Sequence, residues 1–167
     1  RWTAQILEHG AGYSPSWLTI IYGACLLATR QAQGRLAETH AFLQDVSAGT
    51  PSTYATYRGI LAGTAAAAGD RLTARRALTL LKPDAFSAIA TSALPSTFVL
   101  TMVAAAAVLL EDREAAADLV ERLAPFEDRF AWNGVAPHRP IAAHLAELHH
   151  LLDHPEEAAR SRALADQ

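Results

Sequence analysis

Apolar and small residues recur along this chain with helical spacing, and the pattern itself repeats. The segments QGRLAETHAFL, AGDRLTARRAL, LEDREAAADLV and LDHPEEAARSR each set a turn residue ahead of a helix and a small residue five positions on. These pairs are Gly34 with Thr39, Gly69 with Ala74, Glu111 with Ala116, and Asp153 with Ala158. Thirteen residues before each small residue stand Leu26, Leu61, Val103 and Leu145, followed by Leu27, Ala62, Ala104 and Ala146; four residues after it stand Leu43, Leu78, Val120 and Arg162. Small residues let two helices approach while large ones fill the groove between them, so the pattern predicts helix pairs. The turn residues are 35, 42 and 42 residues apart, so the later intervals hold extra chain.

The spacing predicts an all-α fold, a right-handed α-α superhelix of about four tetratricopeptide-like antiparallel pairs forming one domain over 1–167. The pairs fall at 16–48, 53–82, 96–124 and 138–165, with inserts at 83–95 and 125–137. First helices are expected near 16–32, 53–68, 96–110 and 138–152, and second helices near 35–47, 71–82, 112–124 and 155–165. Pro15, Pro51, Pro95 and Pro155 sit at or just before helix starts, where a missing N–H costs nothing, and Ser52, Ser96 and Asp153 are expected N-caps. No segment alternates apolar and polar residues over a strand's length between turn signals. Arg1 to Glu8 reads as the end of a helix, so the chain is expected to be a piece of a larger protein.

Composition narrows the function classes. The 167 residues, 51% of them apolar, suffice for one sizeable core, and a net charge of −3 provides no overall attraction to nucleic acid or an anionic membrane. The most apolar run, Val99 to Leu110, is about half of the ~20 residues that cross a bilayer, so it reads as a buried helix. The lone Cys25 cannot form an internal disulfide and nothing resembles a signal peptide, so a cytoplasmic location is expected. Ser14, Ser16, Ser47 and Ser52 lie in turn contexts without a nucleophile elbow; neither an enzyme nor a cofactor is expected.

In such an array the first helices line a concave face, which places Ala24, Ala28, Gln31, Thr56, Gly59, Gly63, Phe98, Thr101, Ala105, Ala143, Glu147 and His150 inward. That lining has almost no Lys, Arg or Asn, which disfavours a clamp for a peptide carboxylate. The helix TFVLTMVAAAAVLL is apolar all round and must be covered on every side, by the inserts with Phe86, Phe126, Phe130 and Trp132, or by a neighbouring domain, partner or second copy. The candidate ligand- or partner-contacting residues are therefore Phe98, Thr101, Phe130, Trp132, Asn133, Glu147 and His150. The insert PFEDRFAWNGVAPHRP has two readings, a pocket wall or a filler between pairs. His144, His150 and His154 form the one candidate metal cluster, with Asp153 or Glu147 as a further ligand, but HExxH is absent. This is the basis for an alternative reading as a small metal-dependent enzyme. Arg71, Arg75, Arg76 and Lys82 make a basic cluster that could contact an acidic partner.

The succession RQAQGRLAETHAFLQDVSAGTPSTYATYRGILAGTAAAAGDRLTARRALTLL, STFVLTMVAAAAVLLEDREAAADLVERLAPFEDR and APHRPIAAHLAELHHLLDHPEEAARSRAL resembles the tetratricopeptide-like C-terminal half of large bacterial regulators. These are the LuxR-family ATP-dependent transcriptional regulators and the adenylate-cyclase-like signalling ATPases of actinobacteria. The resemblance covers residues 25–165 and rests on the repeat pattern and insert positions. It implies a sensory or interaction segment whose partners are other domains of the same regulator, a protein partner or a small effector, without direct contact to nucleic acid or membrane; a purely structural spacer between nucleotide-binding and DNA-binding domains is the remaining alternative. No GxxxxGK[ST] occurs here, and FAWNGVAPHRP stands where such proteins commonly carry a glycine-rich run.

Overall fold

In the computed structural model, which describes residues 15–48, 55–84, 86–90 and 96–167, the four turn residues share one backbone conformation. The angle φ is 68° at Gly34, 73° at Gly69, 57° at Glu111 and 61° at Asp153. This left-handed residue ends one helix and lets the next fold back. The helices are α1 (Pro15–Ala32), α2 (His40–Ala48, led in by a 3-10 turn at Leu36–Thr39), α3 (Ala55–Ala68), α4 (Arg71–Leu81), α5 (Ser87–Ala90), α6 (Ser96–Leu110), α7 (Arg113–Leu123), α8 (Ile141–Leu151) and α9 (Pro155–Ala165). The described chain is thus mainly helical, and none of its helices is long and apolar enough to cross a membrane.

The small residue after each turn is buried in every case: Thr39, Ala74, Ala116 and Ala158. So are Leu27, Ala62, Ala104 and Ala146 on the first helices, whereas Leu26, Leu61 and Val120 are half-buried and Arg162 is exposed. The central helix α6 is the hub, packed against α3, α4, α7 and α8. Two glycines set its distance from α3. A Cβ on Gly63 would lie 2.6 Å from Met102 Cε and 2.8 Å from Met102 Cα, and one on Gly59 would strike Val99. Gly59 and Gly63 are therefore close-approach points between helices, a correction to their expected place on an open concave face.

Polar ties join one pair to the next. Asp70 and Asp112 cap α4 and α7, accepting from the backbone N–H of Thr73 (3.0 Å) and Ala115 (3.1 Å). Each also meets a basic group of the preceding pair, His40 at 3.2 Å from Asp70 and Lys82 at 3.1 Å from Asp112. The Thr73 hydroxyl and then its N–H, together with His40, hold the Asp70 carboxyl down to about 2. Arg71 and Arg113, both first in their helices, donate to carbonyls ending the next first helix, Leu109 O at 2.6 Å and Leu151 O at 2.6 Å. At the last turn the expected cap is corrected: Asp153 is the left-handed residue, and the N-cap position of α9 belongs to His154, whose side chain caps nothing. Ser52, Pro51 and Pro95 lie outside the described residues.

The inserts are where expectation and structure part. Lys82–Asp84 form a short 3-10 turn and Ser87–Ala90 form α5, with Phe86 and Ile89 fully in the core. The second insert contains no helix beyond a 3-10 turn at Ala124–Phe126; it makes strands β1 (Phe130–Trp132) and β2 (Pro137–Pro140), paired antiparallel with an irregular register. Strand β2 takes residues 138–140, which were expected to open the last first helix, so α8 begins at Ile141.

Candidate functional site

The ribbon β1–β2 reaches across to the first helix pair. Asn133, at its tip and only 2% exposed, donates from Nδ2 to the carbonyl of Ala24 in α1 at 2.9 Å. Its Oδ1 accepts from the backbone N–H of Val135 and of Ala136, both at 3.0 Å, which folds the tip into a side-chain-capped turn. Gly134 completes that turn at φ 93°. A second tie lies along β2, where His138 Nδ1 meets Gln31 of α1 and its ring lies tilted against Phe98 of α6, 4.4 Å between centroids. One insert thus bonds to a helix more than a hundred residues upstream.

Beneath this roof lies an apolar cavity of about 40 Å³. Its walls are Ile20, Gly23, Ala24 and Leu27 from α1, Phe42, Leu43 and Val46 from α2, Tyr57 and Ile60 from α3, Phe98 from α6, and Asn133 from the ribbon. No ionisable carboxylate, ammonium or guanidinium is among them. The lining suits an uncharged, mainly apolar occupant, because a charge placed here would be stripped of water without a counter-charge.

Two imidazoles flank the roof, His138 half-buried and His144 buried. Burial pushes His138 down to about 4, and burial, with Arg139 and His138 nearby, pushes His144 down to about 3. Both are therefore neutral around pH 7. His144 is 5% exposed and neither ring nitrogen has a protein hydrogen-bond partner.

The sequence candidates separate into three groups. Phe98, Thr101 and Asn133 are buried, but the Thr101 hydroxyl is bonded to the Phe98 carbonyl at 2.7 Å and so supports α6 rather than a ligand. Phe130 and Trp132 were expected to cover the groove, yet they are 62% and 45% exposed; the residues facing inward are Ala131 and Asn133. Glu147 pairs with Arg139 at 2.9 Å and His150 is exposed. The metal candidates do not converge: His144 is buried, His150 and His154 are exposed, and among the described residues no three His, Cys, Asp or Glu side chains gather to hold an ion. Gly23 and His138 contribute to the site without having been singled out, since neither carries a motif. The FAWN run hid its strand because the inward positions are a small and a polar residue while the aromatics face out. Compared with protein-family models, with curated proteins and with solved structures, the chain matches none.

Proposed function

We propose that this chain is a non-catalytic sensory module of a bacterial transcriptional regulator, and that the cavity under the β1–β2 ribbon receives a small, uncharged, mainly apolar effector. The observation that carries the reading is the roof: a ribbon tied by Asn133 and His138 to α1 sets Asn133 into the wall of a partly open cavity whose lining holds no charge. A filler insert would need no such long-range polar latch. A water-sized unit takes roughly 10–15 Å³, so the cavity admits about three, the bulk of a branched aliphatic group. Occupancy would alter how the ribbon sits on α1, and the outward Phe130, Trp132 and Val135 would carry that change to other domains of the regulator or to a protein partner. The resemblance to regulator C-terminal halves supports this context. The left-handed turns and buried small residues support the finer fold reading, a right-handed superhelix of tetratricopeptide-like pairs.

The test is thermal melting of the chain with benzene, isobutanol and charged analogues such as benzoate and isovalerate. The uncharged molecules are expected to raise Tm by a few degrees and the charged ones to leave it unchanged. Gly23→Ala adds a methyl that meets Phe42 at an ordinary 3.5 Å and takes up part of the cavity. That variant should melt higher than the parent without ligand and respond less to benzene; an equal response would place the ligand elsewhere, and no response in the parent would remove the proposal.

A further inference from the structure

The sequence shows Arg71, Arg75, Arg76 and Lys82 as one basic cluster, but the structure divides it. Arg71 is committed to the carbonyl of Leu109, and Lys82 to Asp112 and Glu114 at 3.1 and 2.7 Å. These are ties within the fold. Arg75 and Arg76 remain exposed, and among the described residues no carboxylate lies within ion-pairing reach of either.

Beside them are two leucines that water should not favour. Leu72 and Leu80 are 60% and 59% exposed, and at 100° per residue Leu72, Arg75, Arg76, Thr79 and Leu80 share one outward arc of α4, opposite the buried Ala74, Ala77, Leu78 and Leu81. The repeat supplies an internal comparison. Forty-two residues on, α7 has Glu114 and Arg122 where α4 has Leu72 and Leu80, and Asp118 where α4 has Arg76. The same place in the fold is polar in one pair and apolar-basic in the other, so folding does not demand the leucines.

We propose that the outer face of α4 binds an acidic amphipathic helix of a partner protein, with two of its apolar residues covering Leu72 and Leu80 and its carboxylates meeting Arg75 and Arg76. This surface is separate from the roofed cavity. The two leucines are eight residues, or about 12 Å, apart along the axis, which matches two turns of a facing helix. Charge decides the class of partner. Asp112, Glu114 and Asp118 line the groove beside Arg75, and the chain carries a net −3, so an extended polyanion such as a bilayer or nucleic acid meets repulsion around a narrow basic patch. A short acidic helix meets only the patch.

The probe is a labelled synthetic helix carrying leucines two turns apart and glutamates between and beside them, with a control of equal composition whose leucines are dispersed around the helix. The contact is small, so a Kd of about 10 μM is expected for the first peptide, weakening with salt, and binding at least about tenfold weaker for the control. Leu72→Glu combined with Leu80→Arg installs the residues α7 already tolerates, so helicity and Tm should stay unchanged while affinity falls about tenfold or more. Arg75→Ala with Arg76→Ala should remove most of the salt dependence. Failure of the first peptide to bind, or equal binding by the Leu72→Glu/Leu80→Arg chain, overturns the proposal. So does binding of phosphatidylserine vesicles, or self-association in sedimentation, that the same double variant abolishes, since either would assign the leucines to lipid or to a second copy.

Discussion

Glu111 and Asp153 sit where Gly34 and Gly69 sit, with φ near +60° and a side chain that glycine lacks. That conformation costs an L-residue about 1–2 kcal/mol, partly offset because glycine stiffens less of the unfolded chain. Glu111→Gly is therefore expected to stabilise by about 0.5–1 kcal/mol in denaturant melts; destabilisation would show that Glu111 has a compensating role. His144 presents a second local cost. Its counterpart forty-two residues earlier is Met102, and a buried imidazole without partners forfeits about 1–3 kcal/mol. Its folded pKa of about 3 lies below the unfolded value near 6.5. The unfolded chain then takes up a proton first, so the neutral group's contribution is intact above about pH 6.5 and is lost as pH falls toward 3, with a slope approaching about 1.4 kcal/mol per unit. His144→Met should raise stability at pH 7 and flatten this acid limb. An unchanged pH profile would place the sensitivity in other groups, His138 foremost.

Helix α6 owes its position to what α3 lacks. In an isolated helix Gly63→Ala would gain about 1 kcal/mol, but here the new Cβ would press on the Met102 backbone, so a net loss of about 1–3 kcal/mol is expected. A neutral or stabilising result would mean that α3 and α6 separate easily. The helices and their turns were legible because burial of small residues at fixed spacing and a left-handed turn leave a local mark at each repeat. Gly34, Gly69, Glu111 and Asp153 are that mark, and the structure gives all four the same φ. The ribbon was not legible. Its strands are three and four residues long, its prolines read as helix boundaries, and Phe130 and Trp132 read as core although their neighbours Ala131 and Asn133 take the inward positions. Asn133 was recognisable as a candidate from its loop, but its partner, a main-chain carbonyl at Ala24, carries no side-chain signal at all.

Among the described residues, helix pairs follow one another and the β1–β2 ribbon straps across them to α1. The contacts His40–Asp70 and Lys82–Asp112 and the bonds from Arg71 and Arg113 join adjacent pairs, whereas Asn133 and His138 connect the insert before the last pair to α1. Asn133→Ala removes one bond to α1 and two within the turn, and leaves the N–H groups of Val135 and Ala136 to find water. A loss of about 1–3 kcal/mol is expected. Under the proposed function it also weakens ligand response more than Gly63→Ala does at equal loss of stability. The most direct measurement is amide hydrogen exchange at Val135 and Ala136, the two N–H groups held by Asn133, with and without millimolar benzene. Ligand seated under the ribbon should slow exchange at both amides while leaving those of α9 unchanged; slowed exchange throughout, or a raised Tm with no change at Val135 and Ala136, would contradict the roofed site.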